Sequence, residues 1–182
     1  MHQNAFFTFA KFIQPRIASG MRVLEVAPDK GGVYGKVLRR AGVDVDRWTT
    51  NLGREPGDHQ LGMDGDYKIL VDDNTFDAVW SSSVIEHVYE PWTWMRELAR
   101  VTKPGGFVAV VGPFTWRHHR VGPRGRKRDC WRVLPDGMVV LFQGAGLVVE
   151  VAELFEGGTD TENELFANRG HAIDVIGIGR KP

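Results

Sequence analysis

Apolar residues fall along this chain in two alternating rhythms. Between Ala5 and Ala18, Phe6, Phe9, Ala10, Ile13 and Ile17 recur every three or four positions, which predicts an amphipathic helix broken near Pro15. Four of the five residues from Val23 to Ala27 are apolar, the composition of a buried central strand. Pro28-Asp29-Lys30-Gly31-Gly32 then turns the chain into a helix from Val33 to Ala41, whose end carries Arg39, Arg40 and Gly42. Val45 to Leu52, with Trp48, Thr49 and Thr50, reads as a second strand. Gly53 to Asp66 is loop-like, Tyr67 to Val71 a short strand, and Phe76 to Ser81 a longer one after the turn Asp72-Asp73-Asn74-Thr75.

Val84 to Val101 reads mainly as helix, with Trp92, Met95, Leu98 and Ala99 on its apolar face. Lys103-Pro104-Gly105-Gly106 stops it before the apolar strand Phe107 to Val111. A basic loop, Arg117 to Arg128, leads to a helix from Pro135 to Ala145, with proline in a favourable first-turn position. Val148 to Phe155 and Ala172 to Ile178 are two more strands, separated by the acidic stretch Glu156 to Glu164. Strands alternating with helices, closed by two strands with no long helix between them, predict an α/β sheet with an antiparallel edge.

A chain of 182 residues is expected to be one domain, 1–182, with residues 1–20 as an N-terminal helical segment and 115–130 as the basic loop. It carries 42% hydrophobic and 25% charged residues and zero formal charge, so no global field draws it to nucleic acid or membrane. The single cysteine, Cys130, excludes an internal disulfide and a cysteine metal cluster. No signal-peptide pattern and no apolar run near the ~20 residues of a membrane span occur, so a cytoplasmic location is the expectation.

The bend after Val23 to Ala27 is where a doubly wound sheet opens a nucleotide crevice, although no complete G-x-G-x-x-G is present. Phe76-Asp77-Ala78-Val79-Trp80-Ser81-Ser82-Ser83-Val84-Ile85-Glu86-His87-Val88, followed by Glu97-Leu98-Ala99-Arg100-Val101-Thr102-Lys103-Pro104-Gly105-Gly106, resembles the class I S-adenosylmethionine (SAM)-dependent methyltransferases, small-molecule type. Asp129-Cys130-Trp131-Arg132 and Gly144-Ala145-Gly146-Leu147 are similar to members acting on sugars, lipids or natural products. The resemblance spans roughly residues 20 to 180. It implies a Rossmann-like doubly wound sheet of seven strands, mostly parallel with one antiparallel strand near the C-terminus, and SAM as cofactor.

Carried over position by position, the resemblance makes Glu25 the acid of the first motif, with Ala27 and Asp29 where two glycines are customary and Gly31 matching the third. Asp29 meets either the positive groups of the cofactor or only its own turn. Asn51 takes the ribose position, Asp64 (in preference to Asp66) the adenine position, and Ser81 and Ser82 either reach the methionine part or cap the strand end. Methyl transfer to a hydroxyl profits from a base in the histidine range, for which His87 and His118 are candidates; Glu86-His87 reads equally as a structural pair at a helix start.

His119, Arg120, Arg128 and Trp131 are the expected acceptor contacts. Six Arg and Lys residues within Arg117 to Arg128 suit an anionic small molecule, or form a solvated surface. The histidine pair has no third ligand at diagnostic spacing, so no metal is expected. Nucleic acid is the weaker partner, no membrane is expected, and the oligomeric state stays open, a homodimer included. The expected reaction is SAM-dependent methylation of a hydroxyl or amine on a small, sugar-linked or phosphorylated metabolite. The alternatives are a non-catalytic scaffold of the same fold and an RNA methyltransferase.

Overall fold

The computed structural model describes residues 3–28, 32–50, 59–61, 67–120, 128–157 and 173–182. Among the described residues seven strands form one sheet: β1 (Arg22–Val26), β2 (Asp46–Thr50), β3 (His59–Leu61), β4 (Phe76–Ser82), β5 (Thr102–Pro113), β6 (Val148–Phe155) and β7 (Asp174–Arg180). Their order is β3-β2-β1-β4-β5-β7-β6. β7 runs antiparallel to both β5 and β6, and the pairs from β3 across to β5 are parallel.

β1 is central because both its faces are covered, with Glu25 its one charged residue inside the stretch Val23–Val26. Leu24 and Val26 join a core with Trp94, Met95 and Leu98 of α3 (Pro91–Val101) and Met138 and Phe142 of α4 (Pro135–Gly144). Val23, Ala78 and Trp80 face the other way, toward Tyr34 and Leu38 of α2 (Val33–Arg40) and Phe9 and Ile13 of the N-terminal segment. On β7, Gly177 and Gly179 make room for α4: a Cβ on either would stand 2.7 or 2.4 Å from the Phe142 ring.

Several boundaries differ from the sequence expectation. The N-terminal segment is α1 (Gln3–Thr8) continued by a π turn (Phe9–Ile13) and a 3-10 turn (Gln14–Arg16), so the helical path ends beside Pro15, as the missing N–H requires. The long helix expected from Val84 starts at Pro91; before it stands a 3-10 turn, Ile85–His87. Proline at the first helical position has no donor to lose, which favours the start there.

Tyr67–Val71 is not the third strand. The Ile69 N–H goes to Glu97 Oε1 (2.6 Å) and its carbonyl accepts from Arg100 Nη2 (2.9 Å), so α3 side chains hold this segment. β3 lies earlier, where His59–Leu61 pair with Trp48–Thr50. Lys103–Gly106 does not separate helix from strand but loops out of β5: Phe76 pairs with Thr102 and Ala78 already with Phe107. Asp77 fastens the excursion through Lys103 Nζ, 2.7 Å away.

In chain order the sheet grows outward from β1 to β2 and β3, then returns to place β4 on the other side of β1. That reversal opens a crevice at the carboxyl ends of β1 and β4.

Candidate functional site

Glu25 enters the crevice wall from the end of β1, almost fully buried. Arg47 of β2 reaches back to it, with Nε donating to Oε2 at 2.9 Å and Nη2 to the same oxygen. Gly35 in α2 leaves space for that guanidinium, because a Cβ there would sit 3.1 Å from Arg47 Nε. The acid of the first motif is thus neutralised inside the protein, which lowers the cost of its burial.

Ala27 has φ 52°, a left-handed conformation that the missing glycine would adopt without penalty. Its N–H donates to Thr50 Oγ1 (2.9 Å), which ties the carboxyl ends of β1 and β2 together. At the end of β4, Tyr34 donates to Ser82 Oγ (2.9 Å). The buried hydroxyls of Ser81 and Ser83 have no hydrogen-bond partner in the protein. Two orphaned hydroxyls at the switch point fit the polar methionine end of SAM, since a bound polar group would satisfy what the fold leaves open. Asp29, Gly31, Asn51 and Asp64 lie outside the described residues; Asp64 follows β3 in the chain rather than preceding the third strand.

The second half of the site joins the 3-10 turn to the segment after the basic loop. His87 Nδ1 lies 2.8 Å from the Arg128 carbonyl, the Cys130 N–H donates to the Glu86 carbonyl (2.6 Å), and Trp131 Nε1 donates to the Val88 carbonyl (2.6 Å). These contacts lay residues 128–131 along 86–88. A carbonyl only accepts, so the His87 proton is on Nδ1 and its lone pair on Nε2. His119 meets His87 edge to face at 4.9 Å between ring centroids.

Asp129 organises this cluster. Its Oδ2 accepts the His119 N–H (2.9 Å) and a bond from Arg132 Nη2 (2.8 Å), and lies 3.2 Å from His119 Nδ1. The hydrogen bond from Arg132 holds the Asp129 carboxyl down at about 2. Burial acts oppositely on Glu86, only 1% exposed, and pushes its carboxyl up to about 7. Glu86 Oε1 is 3.7 Å from His87 Nε2, and Glu86 Oε2 has no hydrogen-bond partner.

The structure therefore brings His87 together with His119, whereas His118 and Arg120 are exposed on the loop. Arg128 takes part through its carbonyl. Trp131, 37% exposed, packs edge to face against Trp92. Sequence reasoning did not assign roles to Arg47, Asp129 or Arg132. The i, i+3 spacing of Asp129 and Arg132 was the available signal for that pair; Arg47 left none, since a charged residue inside a strand reads as solvent-facing.

A family model described as a methyltransferase domain matches residues 33–110. A protein of Mycobacteroides abscessus named an uncharacterized methyltransferase is 43% identical over 107 residues, 59% of this chain and 35% of that protein. The ubiquinone biosynthesis O-methyltransferase of Rhizobium etli is 28% identical over 113 residues, 53% of this chain and 43% of that one. The match thus spans less than half the length of either curated relative. A SAM-dependent methyltransferase structure from Methanosarcina mazei is similar in fold, with a TM-score of 0.64 at 13% identity over 94% of this chain and 97% of that one. No helix among the described residues is long and apolar enough to cross a membrane. Residues 33–110 thus match a methyltransferase domain, and the strand order and the Methanosarcina mazei structure agree on the fold, so the chain is similar to the SAM-dependent methyltransferases.

Proposed function

We propose that this chain methylates a hydroxyl, or less favourably an amine, of a small anionic metabolite. The supporting observation is the placement of His87: it stands just past β4, beside the crevice where the orphaned Ser81 and Ser83 hydroxyls lie. Bound SAM supplies an electrophilic methyl on a positively charged sulfur. Glu25, Ala27, Asp29, Gly31, Asn51, Asp64, Ser81 and Ser82 are the residues proposed to hold it.

On the acceptor side, Nδ1–H bonding to the Arg128 carbonyl fixes the His87 ring and keeps the basic nitrogen, Nε2, toward Glu86 and His119. Nε2 would take the acceptor's proton, and the cofactor, when bound, would supply the methyl group to the acceptor oxygen, with the electron pair of the broken carbon–sulfur bond remaining on its sulfur. Buried Glu86 beside the ring favours the imidazolium once it forms. The arginines of the 117–128 loop are proposed to receive an anionic part of the acceptor, with His119, Arg120, Arg128 and Trp131 as contacts and His118 as a second base candidate. Positioning contributes most of the acceleration, on the order of 7–11 kcal/mol, and the base a further factor of about 10²–10⁴.

The test is transfer of radiolabelled methyl from SAM to a panel of phosphorylated and carboxylated alcohols. His87→Ala is expected to lower turnover by about 10²-fold or more with cofactor affinity unchanged. Equal turnover in the variant and the parent chain would remove His87 from the mechanism.

A further inference from the structure

Glu86, His87 and His119 do more than line the acceptor side. One carboxylate oxygen and one nitrogen from each ring lie within 4.8 Å of one another. From this juxtaposition we propose a binding site for a zinc-class divalent cation, held by Glu86, His87 Nε2 and His119 Nε2.

Three observations carry it. First, both rings present the same nitrogen. His87 Nδ1 faces the Arg128 carbonyl at 2.8 Å, and His119 Nδ1 faces the Arg117 carbonyl and Asp129 Oδ2, each at 3.2 Å. All these partners accept, so both protons sit on Nδ1 and both lone pairs on Nε2. A carbonyl or carboxylate behind the distal nitrogen is the outer shell that orients metal-binding histidines. Second, Glu86 is buried, and its Oε2 lacks a hydrogen-bond partner. A buried carboxylate oxygen with nothing to accept is a costly feature unless something positive satisfies it. Third, the behind-the-ring acid is fixed in its turn: Asp129 is clamped by Arg132 and receives the His119 N–H.

Two imidazoles and one carboxylate suit Zn²⁺, Co²⁺ or Fe²⁺ and do not suit Mg²⁺ or Ca²⁺, which take oxygen ligands. Bonds of about 2.0–2.2 Å put zinc ligands about 3–3.5 Å apart, so the set must close by roughly 1 Å. His119, with 27% of its side chain exposed, is the member able to tilt inward. Three protein ligands leave a fourth position open for water or an acceptor oxygen. With the ion bound, His87 Nε2 is a ligand and the ion replaces it as the activating group: a hydroxyl bound there would be acidified, lose its proton to solvent and attack the methyl carbon, whose bond to sulfur would break with the electron pair leaving on sulfur. That catalytic role rests on the methyl-transfer reading above. Binding of the ion does not.

The experiment is a titration of the chelator-stripped full chain with Co²⁺, followed by its visible d–d absorption, and with Zn²⁺ by calorimetry. One equivalent is expected to bind at micromolar Kd or tighter, with His119→Ala and Glu86→Gln each weakening it at least tenfold. His119→Ala alters a partly exposed group and is the informative variant should Glu86→Gln not fold. No saturable binding, or binding of equal strength in His119→Ala, would overturn the site. Titrating the same stripped protein with S-adenosylhomocysteine separates the two readings. Cofactor binding lost while metal binding persists counts against methyl transfer alone, and the reverse counts against the ion alone.

Discussion

Arg47 reaches back from β2 to hold Glu25 at the end of β1, with both side chains almost entirely out of solvent. Removing the arginine strands a buried carboxylate. Arg47→Ala is expected to destabilise the chain by about 3–5 kcal/mol, measured by urea unfolding. The double variant Glu25→Gln/Arg47→Met should lose less than Arg47→Ala, because no uncompensated charge remains. A double variant less stable than Arg47→Ala would show that the pair is not the source of the cost.

Ala27 gives an opposite expectation. Alanine to glycine usually costs stability, yet Ala27 stands at φ 52°, where an L side chain is penalised by about 1–2 kcal/mol. Ala27→Gly is expected to leave the unfolding midpoint unchanged or raise it by up to about 1 kcal/mol in stability. A loss of 1 kcal/mol or more would contradict the strain.

Two glycines make a matched pair of tests. A Cβ on Gly106 would lie 2.7 Å from the Asp77 carbonyl oxygen, while one on Gly144 meets nothing within 4 Å. Gly106→Ala should cost about 1–3 kcal/mol, because the loop excursion in β5 must shift. Gly144→Ala at the end of α4 should gain about 0.4–1 kcal/mol. Thermal unfolding of both variants checks the contrast, and similar midpoints would deny the close packing of that loop.

How much of this was legible beforehand depended on whether neighbours in sequence carry the signal. The stretch Val23–Ala27, apolar at every position but Glu25, identified the central strand, and the closing strands around 148–155 and 174–180 followed from composition alone. Pro91 hid a boundary, since the apolar spacing continues upstream of it while the backbone takes a 3-10 turn. β3 was missed because His59–Leu61 are strand only by pairing with β2, within a stretch otherwise rich in glycine and acids. The site was half visible: His87 was a candidate, but its partner is His119 rather than the neighbouring His118. What selects one histidine over the other is the carboxylate of Asp129, ten residues away, and no spacing rule reports that.

Asp77 offers a pH test away from the site. Burial raises its carboxyl, but hydrogen bonds from Lys103 Nζ and the Arg22 N–H outweigh this and hold it below the ordinary 3.8. A depressed folded pKa stabilises above the unfolded value and loses that contribution as pH falls through the folded one. The stability difference between the parent chain and Asp77→Asn should therefore be constant at neutral pH and shrink below pH 3.8. A difference that widens on acidification would contradict the assignment.

The central claim, that the crevice at β1 and β4 binds the cofactor of this class, is tested most directly by calorimetric titration of the chain with S-adenosylhomocysteine. The account predicts one site of about micromolar Kd, weakened by Ser81→Ala, which removes a buried hydroxyl that has no partner in the protein. No heat at about 1 mM ligand, a binding energy weaker than about 4 kcal/mol, would contradict it.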